Sequence, residues 1–319
     1  PVALSILAYP ILGIIDSTEA KKHATKDDPW ATEWLKNNTA GFGAYTVSSF
    51  NPGNEVRLTA NPNYFGDKPD FTQVIIRSVP DGAARAQMLM SGSVDIISEP
   101  PIDQLKAIED SGNARVTRQP DMNRHNLSVN HDDPILGKAE VRRAISMAIN
   151  RDALIQAVYK GYAKPALTPI ASELFPQEQS VRYDPEAAKR LLAEAGHPNG
   201  FDMELTISSE RPGPYSETLA RLIQTDLQKI GVNVTIKSIP SVADFEEAVS
   251  ARKLQAYLYT ERPSQPDPGF DLFLYLYKGS SLNKSGYANP RLDALTDRSL
   301  AMLPGAERDK VLKEAIGIL

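Results

Sequence analysis

The sequence predicts an α/β protein built as two lobes. Three observations carry this. The chain has 319 residues, more than one core ordinarily organises. From residue 131 onward, segments with apolar residues at every second position alternate with segments of helical period, the pattern of strand–helix–strand units on a largely parallel sheet. A turn-rich stretch, His131-Asp132-Asp133-Pro134, separates that region from a mixed β and α region before it and reads as a crossing strand or hinge.

The elements follow in order. Pro1 to Ile15 is mostly apolar but has no initiator Met and no basic start, and Pro10 interrupts it, so it reads as a buried segment of a folded domain. Tyr45 to Phe50 and Val56 to Thr59 flank the turn cluster Asn51-Pro52-Gly53-Asn54 and predict a hairpin with a loop longer than two residues. Val74 to Ile76 predicts a strand and Asp81 caps a helix through Met90. Val94 to Ile97 predicts a short buried strand, and Ile102 to Ile108 a helix. Val141, Ala144, Ile145 and Ala148 recur at helical spacing, followed by Leu154, Ile155 and Val158. Asp184-Pro185-Glu186 supplies a cap, a first-turn proline and an acid at the positive end of the next helix. Met203, Leu205 and Ile207 alternate as a strand, Leu219 to Ile230 form an amphipathic helix, and Val232, Val234 and Ile236 alternate again. Phe245 and Val249 mark a helix, and Leu254 to Tyr259 a strand. Phe273, Tyr275 and Tyr277 fall among leucines and read mainly as packing.

Composition excludes several function classes. A net charge of −5 without a basic stripe argues against nucleic acid as a partner. The absence of cysteine removes disulfides, thiolate metal sites and a cysteine nucleophile. His23, His125, His131 and His197 show no metal-ligand spacing, so neither a metal nor a cofactor is expected. No nucleophile elbow or phosphate loop occurs, and Gly41-Phe42-Gly43 precedes a strand rather than a helix. Asp27-Asp28 and Asp132-Asp133 each precede a proline and read as turn formers. No enzyme activity is expected. A hydrolase acting on peptides or glycans is the alternative, and it would need an activated nucleophile or a facing acid pair.

Two loops directly after strands are candidate ligand contacts, since open α/β sheets bind ligands beyond the carboxyl ends of their strands. One runs from Ser209 to Tyr215 and carries Arg211 and Tyr215. The other runs from Tyr259 to Pro268 and carries Tyr259, Glu261, Arg262 and Ser264. An arginine on such a loop offers a planar fork for a carboxylate.

Five segments, in this order, resemble a known family. They are Gly41-Phe42-Gly43-Ala44-Tyr45, the run Asn61 to Pro69, Val79-Pro80-Asp81 with Gly92-Ser93-Val94-Asp95-Ile96, Val141 to Ile155, and Tyr183 to Gly196. Together they resemble the extracellular solute-binding proteins of bacterial ABC importers, of the oligopeptide, dipeptide and nickel-binding type. The resemblance implies a two-lobed periplasmic binding protein clamp with an extra small domain. It implies a remnant of the small domain at 1–40, part of lobe I at 41–130 and most of lobe II at 131–319. On that reading the chain is a fragment whose first lobe leaves sheet edges open. The resemblance also implies a monomer in the periplasm or elsewhere outside the cytoplasm. It would bind a peptide or another small ligand, such as an opine, a nickel complex or a sugar, and work with an ABC permease in the membrane. Arg211 resembles the arginine that a dipeptide binder places on its ligand's carboxylate. Ser264 falls where peptide binders carry an Asp for the α-amine, with Glu261 as a substitute anion or Arg262 favouring an acidic ligand.

Overall fold

A computed structural model describes residues 13–119, 122–170, 175, 181–208, 213–263 and 265–319. The described residues divide between two compact units, one within Ile6–Thr117 and one within Arg118–Leu319.

In the first unit, helix α1 (Ser17–Lys22) starts where the Asp16 carboxylate accepts from the Thr18 and Glu19 amides, and a short α2 (Thr32–Leu35) follows. Strands β1 (Tyr45–Asn51), β2 (Glu55–Ala60) and β3 (Gln73–Arg77) form an antiparallel meander. The β1–β2 loop is the three residues Pro52, Gly53 and Asn54, and Gly53 takes the positive φ of 74° that the turn requires. Among the described residues β1 and β3 are both edges, and Phe50, Ile75 and Ile76 are exposed. Asp81 caps α3 (Gly82–Met90) through the Ala84 amide, and a 3₁₀ turn at Ile102–Gln104 leads into α4 (Leu105–Asp110). The strand expected at Val94 to Ile97 does not form. Asp95 lies in a bend, and the Ile96 side chain is 86% exposed. Its apolar run has no paired strand among the described residues, and a β segment is held by cross-strand bonds rather than by propensity.

The second unit is built on a four-stranded sheet. Its elements are β4 (Arg124–Val129), α5 (Ala139–Ala148), α6 (Arg151–Tyr159), α7 (Pro185–Glu194), β5 (Phe201–Ile207), α8 (Ser216–Gln228), β6 (Val232–Ser238), α9 (Val242–Ser250), β7 (Ala256–Glu261), α10 (Pro268–Leu276), α11 (Pro290–Ala301) and α12 (Ala306–Ile316). The strand order is β4-β7-β5-β6. β5 runs parallel to both β6 and β7, as strand–helix–strand units dictate, and β4 adds antiparallel to β7. β4 therefore belongs to this unit, although the sequence reading grouped its residues with 41–130. Its partner lies more than a hundred residues downstream, which no local pattern reveals.

Asp184-Pro185, Asp267-Pro268 and Asn289-Pro290 open α7, α10 and α11 in the same way. The side-chain oxygen accepts a first-turn amide, and the proline occupies a position whose amide hydrogen would be unpaired. One face of the sheet packs Met203, Leu205, Val232, Ala256 and Leu258 against α5, α7 and α8. The other packs Tyr257 against Phe245 and Val249 of α9. A third cluster joins α10, α11 and α12 through Leu272, Leu292 and Leu312.

Candidate functional site

Because β4 is antiparallel to β7, the amino end of β4 and the carboxyl end of β7 meet, with Arg124 directly opposite Glu261. The Asp267 cap starts α10 just beyond, and α10 delivers Asp271 and Tyr275 to the same place. Arg124 grips Asp271 with both terminal nitrogens, Nη1 to Oδ2 at 2.9 Å and Nη2 to Oδ1 at 3.2 Å. The two side chains are 3% and 0% exposed, so this is a fully desolvated fork. Glu261 stands outside the fork. Its Oε2 accepts from Arg124 Nη2 at 3.4 Å and from Asn126 Nδ2 at 2.8 Å. The Tyr275 ring lies 5.4 Å from the Arg124 guanidinium, and its hydroxyl donates to the Arg262 carbonyl at 2.6 Å.

One guanidinium thus serves two carboxylates. Burial, with the Asp271 charge adding to it, pushes Glu261 up to about 7, against the pull of Arg124 and the Asn126 bond. The folded state holds a proton here that the unfolded state releases near pH 4.5, so this group's contribution to stability is full below pH 4.5 and falls as pH rises through 7. Half-buried His131 works the other way. Burial and Arg142 lower it to about 4, so its contribution is lost as pH falls from 6.5. The two slopes overlap, and the Glu261 effect must be read as a difference. Glu261→Gln should gain stability relative to wild type as pH rises from 4.5 to 7, by urea titration. A constant difference across that range would show that Glu261 titrates normally.

The opposite face of the same strands is aromatic. His125 Nδ1 lies 3.0 Å from Thr260 Oγ1, its ring stacks on Tyr159 at 5.7 Å, and Tyr159 meets Tyr215 edge-on at 6.1 Å. Burial holds the Tyr159 hydroxyl up at about 12.

The expected ligand residues fall in different surroundings. Tyr215 packs on Tyr159 and the main core. Tyr259 donates to the Glu246 carboxylate at 2.9 and 3.0 Å and stacks on Phe245. Glu261 and Arg262 both line an open concavity of about 1780 Å³ that lies wholly in the second unit, and Tyr259 also borders it. Arg262 is exposed. Arg211 and Ser264 lie outside the described residues.

The sequence reading missed Arg124, Asn126 and Asp271. Asp271 reads as a first-turn acid favoured by the helix dipole, and Arg124 and Asn126 only acquire meaning once β4 is registered on β7.

Comparison with known proteins gives this architecture its context. Heme-binding protein A of Haemophilus influenzae is 28% identical over 292 residues, 89% of this chain and 53% of that protein. The probable D,D-dipeptide-binding periplasmic protein DdpA of Escherichia coli is 26% identical over 315 residues, 98% of this chain and 60% of its own length. The chain thus spans little more than half the length of these curated relatives. Among solved structures, HbpA2 of Haemophilus parasuis superposes with a TM-score of 0.83 at 26% identity, covering 99% of this chain and 63% of that one. The periplasmic binding protein DppA of Helicobacter pylori, in complex with the peptide STSA, shares the fold with a TM-score of 0.81 at 23% identity, over 99% of this chain and 62% of its own. The family profile of the bacterial extracellular solute-binding proteins, family 5, matches residues 1–283. The chain belongs to that family.

Proposed function

We propose that the protein is the ligand-capturing component of an ABC importer, working outside the cytoplasm. It binds a peptide or a similar small ligand between two lobes, closes by hinge motion and hands the ligand to a membrane permease. The family match over residues 1–283 carries this reading. The relatives are named for heme, dipeptide and nickel, so cargo identity does not transfer from them. Binding without turnover is expected, by a monomer.

In this reading Arg211 and Arg262 hold acidic groups of the ligand, and Glu261, Tyr215, Tyr259 and Ser264 supply further contacts. Support comes from the exposure of Arg262 on the concavity and from the carboxyl-end position of both loops. Losing one partner of a buried charged pair typically costs about 2–5 kcal/mol. Native mass spectrometry of the purified protein should therefore reveal a retained small molecule. Calorimetric titration with that molecule should lose well over tenfold in affinity on Arg211→Ala, with the melting temperature of the empty protein nearly unchanged. Arg211→Lys should recover part of the loss, because a point charge does not reproduce the fork. Equal affinity in the alanine variant would remove Arg211 from the site, and a ligand-free, non-binding protein would defeat the capture reading.

A further inference from the structure

The walls of the concavity carry the opposite charge from the protein as a whole. The chain has a net charge of −5. Yet among the described residues eight lysine and arginine side chains line the concavity, against one acidic side chain, Glu261. Arg124 is matched by Asp271 and Glu261. Six of the others, Arg142, Arg143, Arg151, Lys164, Arg262 and Lys284, have no ion pair among the described residues.

Three of the six come from one place. Ala139, Arg142, Arg143 and Ser146 recur at three- and four-residue spacing and, with Ile149 just past the helix end, form the stripe of α5 that faces the concavity. Arg151 reaches back to the same stripe, donating from Nη1 to the Ser146 carbonyl at 2.8 Å and from Nη2 to Ser146 Oγ at 2.6 Å. Arg142 Nη1 donates to the carbonyls of Leu136 and Gly137 at 3.1 and 2.6 Å. These bonds satisfy donors but bring no negative charge. Both guanidiniums are half-buried, and burial lowers the affinity of each for its proton. Glu140 offsets the Arg142 charge only in part and Arg151 has no such offset among the described residues, and partly desolvated cations short of counter-charge are unfavourable unless an anion arrives. A cleft lined by one sign of charge also focuses the field and raises the local concentration of the opposite sign.

We infer that this concavity selects a small ligand bearing two or more acidic groups, with one of them held along the α5 stripe by Arg142, Arg143 and Arg151. This rests on the capture reading and narrows it from any small solute to a polyacid. A zwitterionic peptide with neutral side chains would leave most of the six cations unmatched. Carboxylate and phosphate share the chemistry that the stripe recognises, so both belong in the test.

The 319-residue chain would be titrated calorimetrically at low salt with tricarballylate and with inorganic pyrophosphate. Tri-alanine serves as a zwitterionic comparator and putrescine as a cationic one. The side chains of Arg143 and Lys164 are exposed and make no hydrogen bond to another described residue, so Arg143→Glu and Lys164→Glu should leave folding intact. At least one polyacid should bind at a single site. Its affinity should fall tenfold or more on Arg143→Glu, and again when salt is raised to physiological strength. Whether tricarballylate or pyrophosphate binds more tightly separates carboxylate from phosphate. Polyacid binding that Arg143→Glu leaves unchanged would overturn the inference. So would binding of tri-alanine or putrescine alone, binding of none of the four, or binding of a long polyanion such as heparin in place of the small acids. The co-purification experiment tests capture independently, so a retained neutral or cationic molecule would leave capture standing and remove this inference.

Discussion

Asp271→Ala should lower the free energy of unfolding by about 3–5 kcal/mol, the range for breaking a buried ion pair from one side. Arg124 is anchored in β4 opposite β7 and is almost wholly enclosed, so it has no route to water once Asp271 is gone. Its remaining acidic partner is Glu261, held only at 3.4 Å. Removing the Asp271 charge also removes one of the influences that raise Glu261. The variant should therefore show two linked changes: a lower denaturation midpoint, and a Glu261 titration moved down from about 7 toward the ordinary carboxylate range. Replacing the whole network by uncharged residues, Arg124→Met and Asp271→Leu together with Glu261→Gln, should recover most of the stability, because no charge is then left buried alone. Denaturant titration of the two variants, with carboxyl NMR for Glu261, would check this. A loss below about 1 kcal/mol for the single variant would mean that the network exchanges with solvent.

Phe245→Ala should be comparably damaging, at about 3–5 kcal/mol, as expected for truncating a buried aromatic ring. Phe245 is fully buried on α9 and meets Tyr257 edge-on at 6.4 Å and Tyr259 nearly parallel at 6.3 Å. Those tyrosines sit on β7 two and four residues before Glu261 and share its face of the sheet. The cavity would thus open directly behind the strand that presents the candidate site. Phe245→Leu should restore much of the loss, since it refills most of the volume. Thermal unfolding and tyrosine fluorescence of the alanine variant would separate lost packing from a loosened Tyr259. A melting temperature within a degree of wild type would contradict the enclosed packing.

Much of the second unit is legible in the sequence because its signals are local. The caps at Asp184 and the alternation of Val232, Val234 and Ile236 lie within a few residues of the elements they specify. The hairpin around Gly53 is legible for the same reason. Val94 to Ile97 misleads because apolar β-branched residues announce a strand without saying whether a partner exists. The candidate site is less legible still. Glu261 and Arg262 follow from the rule that ligands gather at strand ends, but Arg124 joins them only through a pairing across 137 positions. The basic stripe of α5 lies within a helix whose spacing is plain, yet its meaning depends on which face looks into the concavity.

The open meander of the first unit bears on how the chain behaves in concentrated solution. Among the described residues β3 is an edge strand, reading Gln73-Val74-Ile75-Ile76-Arg77 without proline, and Ile75 and Ile76 stand exposed on it. Unpaired backbone groups beside exposed β-branched side chains are a template for strand addition by another copy. Arg77 is the one charge on the strand, and its Nε is drawn to Glu55, which weakens it as a gatekeeper. Edge-to-edge aggregation would then begin at β3 while the second unit remained folded.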